Sequence, residues 1–270
     1  MKKSMVVSTQ PTKFSALAFK EDLEKSIRKV STLGFEGVEL AVRNPKYLEV
    51  DKIISLVKEC NLEVPAIGTG QAWGEEGLSF SDPNEIVRKM TTERIYDQII
   101  FASHFNAQII IGLIRGKIVD NVSREEAEEW TINCLRKCAQ RGKDYNIRLT
   151  LEPVNRYESN FINTLTRGIE FIKRVGMDNL GLLIDTFHMN IEEVSMEESI
   201  IQAKDYITHV HFADSNRWAP GCGHIDFEKI AETLKKIDYH GYVSAEILPL
   251  PDPDTAAQIT AETLNKLNIN

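Results

Sequence analysis

Eight short apolar runs, each followed by a longer amphipathic segment, dominate this 270-residue chain and leave few folds open to it. The runs cover residues 5–7, 37–40, 64–67, 107–111, 147–151, 180–184, 207–210 and 242–245. They are rich in Val and Ile, as strands buried on both faces are. Between and after them the apolar residues recur at helical spacing. In 22–33 these are Leu23, Ile27, Val30 and Leu33; in 50–60 they are Ile53, Ile54, Val57 and Cys60. Further helices are predicted over 84–105, 124–145, 164–175, 196–206, 227–237 and 255–267, with Asp226 as an N-cap and Gly34, Gly176 and Gly241 where helices end. Eight βα units without a break in composition predict one α/β domain over 1–270, a (β/α)₈ TIM barrel. A doubly wound open sheet is the competing architecture. It calls for a Gly-rich phosphate loop after an early strand, and Gly68-Thr69-Gly70 lacks the rest of that pattern.

Composition narrows the function. A net charge of −8 argues against a nucleic-acid partner, which calls for a basic face. The apolar part of the first seven residues is too short for a signal peptide, and no stretch reaches membrane-spanning length, so a cytoplasmic enzyme with a small-molecule partner is expected. Cys60, Cys134, Cys138 and Cys222 form no metal or redox spacing and read as reduced thiols.

Barrel active sites form at the carboxyl ends of the strands. There the fifth run is followed by Glu152, the sixth by Asp185, the seventh by His211 and the eighth by Glu246. A single acid at such a place is ordinarily a helix cap or a solvated loop residue, and a single histidine ordinarily a satisfied hydrogen-bonding group. Four on successive strands are different, because converging carboxylates repel one another and lose hydration. A divalent cation removes that conflict, and three carboxylates with one imidazole suit manganese, cobalt or magnesium better than structural zinc.

The segments around these positions carry a resemblance. Leu151-Glu152-Pro153-Val154-Asn155-Arg156-Tyr157-Glu158, Ile184-Asp185-Thr186-Phe187-His188-Met189-Asn190, His209-Val210-His211-Phe212-Ala213-Asp214-Ser215-Asn216-Arg217 and Ser244-Ala245-Glu246 resemble the strand motifs of the xylose-isomerase-like sugar epimerases, and among them the D-tagatose/D-psicose 3-epimerase group. The resemblance implies an isomerase that epimerises a ketose at C3. It implies one divalent ion, typically manganese, held by Glu152, Asp185, His211 and Glu246. Glu152 and Glu246 double as acid and base, His188, Arg217 and Glu158 contact the sugar, and the assembly is a homodimer or homotetramer. The segments 68–73 and 112–117, after the third and fourth strands, depart from the better-known ketose 3-epimerases; they are expected to help shape the substrate pocket, and the resemblance does not name the sugar.

The chemistry follows from the carbonyl. A hydrogen on the adjacent carbon is weakly acidic, and its removal leaves an enediolate whose charge a Lewis acid stabilises. One carboxylate takes the proton from one face and a second carboxylic acid returns one to the other. An aldose–ketose isomerase of the hydroxypyruvate type would use the same residues, as would a polyol dehydratase; an inactive sugar-binding barrel would have lost a ligand, and none is missing. An endonuclease on this barrel needs a His-rich multi-zinc site, which six histidines and the acidic charge disfavour. Trp73 and Trp218 are placed either to cover the sugar or simply to pack. Arg115 and Lys117 read as a solvated loop pair that could meet an anionic substrate. Glu39, taken as the end of the second strand, reads equally as a buried hydrogen-bonding residue or a substrate contact, and His104, His209 and His240 as packing or surface residues.

Overall fold

The computed structural model describes residues 1–269. Among the described residues, eight parallel strands close into a barrel in sequence order. They are β1 (Lys2–Ser8), β2 (Gly37–Ala41), β3 (Ala66–Gly68), β4 (Gln108–Ile111), β5 (Leu149–Leu151), β6 (Leu180–Asp185), β7 (Ile207–Phe212) and β8 (Tyr242–Ala245). The outer layer contains α1 (Leu23–Thr32), α2 (Val50–Glu59), α4 (Glu85–Ser103), α5 (Arg124–Asp144), α6 (Leu165–Val175), α8 (Met196–Ala203), α9 (Phe227–Lys236) and α10 (Pro253–Lys266). Two helices lie outside the expected eight, α3 (Gly70–Glu76) and α7 (Thr186–Glu192), in the loops after β3 and β6. Both stand on the side of the barrel where the strands end.

Local signals start and stop these helices. Asp22 accepts from the Lys25 amide ahead of α1, and Ser123 with Glu126 forms a reciprocal capping box ahead of α5. Gly176 ends α6 at φ +71°, a backbone region that glycine enters without steric cost.

The strands are buried on both faces, but the two faces differ. Val38, Leu40, Ile109, Ile111, Leu182, Ile184, Val210 and Phe212 point outwards into the main core beneath the helices. Phe212 packs against Phe227 of α9 in a tilted pair with ring centroids 4.9 Å apart; burying one such side chain stabilises the fold by about 1.5–3 kcal/mol. The barrel's inside holds only small apolar clusters, Val6–Leu17–Ala41 and Ala66–Ile110–Leu183. The rest is polar: Ser4, Ser8, Glu39, Thr150, Asp185, His209, His211 and Ser244 are all buried. Apolar periodicity therefore located the strands through their outward residues, while the inward residues carry the chemistry.

Register sets the site. Asp185 of β6 stands beside His211 of β7 at one level, and His211 beside Ser244 of β8, two residues before Glu246, so the donors of three neighbouring strands gather at the strand ends.

Candidate metal centre and sugar pocket

Each of the four strand-end donors is positioned by its own local structure. Asp185 closes β6 and also caps α7: its Oδ1 accepts from the Phe187 amide at 2.8 Å, which leaves Oδ2 turned into the barrel mouth. The Thr186 hydroxyl donates to the Ala213 carbonyl at 2.7 Å and ties the tips of β6 and β7 together. Glu152 follows β5 against Gly112, where a Cβ would run into its carboxylate, so a larger residue there would displace the Glu152 side chain. His211 lies inside β7, and Glu246 follows β8.

These four side chains converge, with one donor atom from each lying within 4.8 Å of the others. His211 Nδ1 is 4.0 Å from Glu152 Oε1 and 3.9 Å from Asp185 Oδ2. Those same three atoms are buried and have no hydrogen-bond partner. Leaving one buried polar atom unpaired costs about 1–3 kcal/mol, so three that face one another fit a cation held between them. The electrostatics agree. Burial, then the charge of Glu246, pushes the Glu152 carboxyl well above the usual carboxylate range. Burial likewise raises Asp185 to about 6. Burial works against a charged His211, but the charge and hydrogen bonds of Glu39, with the charges of Glu246 and Glu152, together outweigh it and hold the imidazole up at about 10. Without a cation the site takes up protons in its place.

The residues expected to contact sugar ring this centre, and Glu158, His188 and Arg217 line one cavity with Glu152, His211 and Glu246. Arg217 donates to Glu158 Oε1 and to Glu246 Oε2, both at 2.9 Å, and its guanidinium lies over Phe187 at 4.9 Å. Its backbone sits at φ +63°, a region costly for a residue with a side chain. The turn is held by Asp214, which accepts from the Ser215, Gly221 and Ile225 amides. His188 is buried, and desolvation first, then Arg217, keeps it neutral. The Asn155 side chain lies 2.8 Å from His188 Nδ1 and its amide points there too, so the ring proton belongs on Nε2. That Nε2 is 3.8 Å from both Glu152 Oε1 and Asp185 Oδ2, aimed at the site as a donor rather than paired as an ion.

Several expectations need correction. Arg115 is no solvated loop residue: it is fully buried, donating to the carbonyls of Gly112, Glu152, Phe161 and Ile162. It braces the loop that carries Glu152, and burial lowers it to about 10. Lys117 lies 5.2 Å over the Trp73 ring. Neither Trp73 nor Trp218 lines the cavity; its apolar side is built from Val6, Phe14, Leu17, Ala41 and Leu113. Glu39 lies in the middle of β2, not at its end, and pairs with His209 and His211. Asn155 was legible only as part of a motif, since its role depends on a histidine 33 residues further along.

Residues 27–267 match the family described as the xylose isomerase-like TIM barrel. The chain belongs to that family. It is 32% identical over 232 residues to an L-ribulose 3-epimerase of Methylomonas sp. (strain DH-1), covering 82% of this chain and 77% of the relative. It is 27% identical over 254 residues to a 3-dehydro-D-guloside 4-epimerase of Escherichia coli (strain K12), covering 90% of this chain and 92% of the relative. A solved D-allulose 3-epimerase of Methylomonas sp. in complex with D-allulose superposes with a TM-score of 0.82 at 25% identity, covering 98% of each chain. Among the described residues no helix of this family member is long and apolar enough to cross a membrane.

Proposed function

We propose that this protein is a metal-dependent ketose 3-epimerase, working as a single barrel domain that inverts the carbon beside the carbonyl of a small ketose. The observation that carries this reading is the set of unpaired buried atoms, Glu152 Oε1, Asp185 Oδ2 and His211 Nδ1, facing one another beside Glu246. An oxygen-rich donor set suits manganese, with cobalt or magnesium also compatible. When bound, the ion supplies Lewis-acid stabilisation of the charge that develops on the carbonyl oxygen.

The chain's own residues do the rest. Glu152 and Glu246 reach the cavity from β5 and β8, with Asp185 and His211 between them, which suits proton transfer at two faces of one carbon. Their surroundings are unequal. Glu152 is buried against Gly112 with its Oε1 unpartnered, whereas Glu246 accepts a charge-assisted hydrogen bond from Arg217. One carboxyl can then carry a proton while the other takes one. Which acts as base depends on the handedness of the substrate carbon, because the reaction is reversible. His188 Nε2–H donates to a substrate oxygen near the reacting carbon, and Glu158 and Arg217 offer an acceptor and a donor to neighbouring hydroxyls. The relatives named L-ribulose and D-allulose 3-epimerases support a ketose substrate.

A second reading is inversion at the carbon next to a keto group within a glycoside ring. Nearly the whole length of the 3-dehydro-D-guloside 4-epimerase matches this chain. Ketoses and a 3-keto glycoside incubated with manganese and enzyme in deuterated water separate the readings. The expected result is a ketose C3 epimer carrying deuterium at C3. Inversion of the glycoside alone favours the second reading. An aldose product or loss of water reassigns the chain to isomerase or dehydratase chemistry.

A further inference from the structure

Beneath the strand-end donors the barrel holds a second buried cluster. Glu39 enters from β2, across the barrel from His209 and His211 of β7. The three are 1%, 0% and 1% exposed. His209 Nε2 lies 2.7 Å from Glu39 Oε2, and His211 Nε2 lies 3.1 Å from both Glu39 oxygens. Ser244 Oγ is 3.2 Å from His209 Nε2. An ionised carboxylate only accepts hydrogen bonds, so each ring must present its Nε2 proton to Glu39.

The consequence falls on the other nitrogen of His211. With Nε2 committed to Glu39, Nδ1 is the atom left for the mouth of the barrel. It is the atom that stands 4.0 Å from Glu152 Oε1 and 3.9 Å from Asp185 Oδ2 with no partner of its own. A ring rotated to present Nε2 to the mouth would break both contacts with Glu39.

We propose that Glu39 is the positioning residue of the metal centre. It fixes the tautomer and rotation of His211 so that Nδ1 faces the ion, and His209 pins Glu39 in turn. This rests on the reading that Glu152, Asp185, His211 and Glu246 hold a divalent cation. The same three groups of the lower cluster lie close enough together to hold an ion themselves. The hydrogen-bond distances of 2.7 and 3.1 Å argue that shared protons already fill that role. A carboxylate behind a ligating imidazole orients the ring and raises its basicity, and losing it typically weakens metal binding by about 10–100-fold.

Glu39→Gln tests this directly. Glutamine keeps the shape but turns an N–H₂ donor towards one of two imidazole donors. Metal-stripped wild type and variant are titrated with Mn²⁺ by calorimetry, and the visible spectrum of each is recorded with Co²⁺. Expected are one Mn²⁺ per wild-type chain, binding about 10–100-fold weaker in Glu39→Gln, and a shifted Co²⁺ spectrum. His209→Asn removes one donor to Glu39 but leaves the carboxylate in place. It should weaken Mn²⁺ binding by a smaller factor, and it serves if Glu39→Gln does not fold. Glu128→Gln is the control. That carboxylate is also buried but lies on α5 against Arg167 and Arg174, and its loss should leave Mn²⁺ affinity and the Co²⁺ spectrum unchanged. Wild-type affinity and spectrum in both Glu39→Gln and His209→Asn would overturn the proposal. So would two ions per wild-type chain with one lost in Glu39→Gln, which would make Glu39 a ligand. A wild type that binds no Mn²⁺ would sink the metal reading itself, an outcome distinct from the other two.

Discussion

The half of the barrel from β5 to β8 and the half from β1 to β4 face one cavity with opposite chemistry. The later half supplies Glu152, Asp185, His211 and Glu246, with Glu158, His188 and Arg217 close around them. The earlier half supplies mostly shape: Val6, Phe14, Leu17, Ala41 and Leu113, with Gln71 held by the Ser8 hydroxyl at 2.7 Å. Glu39 is the exception, reaching across to the later half from β2. On the proposed function the division separates two tasks. Moving a proton requires charges fixed relative to one another, whereas choosing a sugar requires a wall of the right contour. The second task can be altered without disturbing the first.

The largest effects should come from the later half. Glu152→Gln or Glu246→Gln keeps the side-chain volume and removes a proposed proton carrier. Turnover should fall by about 10²–10⁴-fold in each, with circular dichroism and thermal unfolding near wild type. Activity within tenfold of wild type would break the division. Next comes Gly112→Ala. Its new methyl would meet the Glu152 carboxylate, so kcat should drop by at least about tenfold, as misplacing a catalytic group does. An unchanged kcat would mean that Glu152 tolerates displacement.

Smaller and different effects are expected from the earlier half. Leu113→Ala or Phe14→Ala should change the kcat/KM ratio between ketoses by about tenfold, the usual weight of one apolar contact. Deuterium exchange at the reacting carbon should continue. Loss of exchange with every ketose would show that the wall also holds the reacting groups in place.

The smallest effect is in stability against pH. Asp185, raised to about 6, favours the stripped fold most at low pH, and that contribution fades as pH rises through 6. Glu152 is raised for the same reason and acts in the same direction. His211, raised to about 10, begins to lose its contribution above its unfolded value of about 6.5. All three make the stripped protein less stable as pH rises from 5 to 8, while a bound cation favours the deprotonated site. The gap in Tm between Mn²⁺-loaded and stripped protein should therefore widen by a few degrees over that range. A constant or narrowing gap would contradict it.

The same division explains what the sequence revealed. The strands were legible because their outward residues, such as Val210 and Phe212, are apolar and pack under helices. That Glu152, Asp185, His211 and Glu246 converge was legible because an acid or histidine at the end of a buried strand is conspicuous. Helices α3 and α7 were not, since seven residues make two turns at most and carry little periodicity. Arg115 looked like a solvent-facing charge because its partners are backbone carbonyls, which no side-chain pattern marks. Phe14 and Leu17 reach the cavity from an irregular segment before α1, and only the closed barrel brings them there. Glu39 and His211 are 172 residues apart and meet only across the barrel interior.

The account is tested most directly by anomalous scattering from crystals of the Mn²⁺-loaded protein. It predicts one peak per chain, about 2.0–2.2 Å from Glu152, Asp185, His211 Nδ1 and Glu246, with His211 Nε2 still on Glu39. A peak between Glu39 and His209, or none near the strand ends, would contradict it.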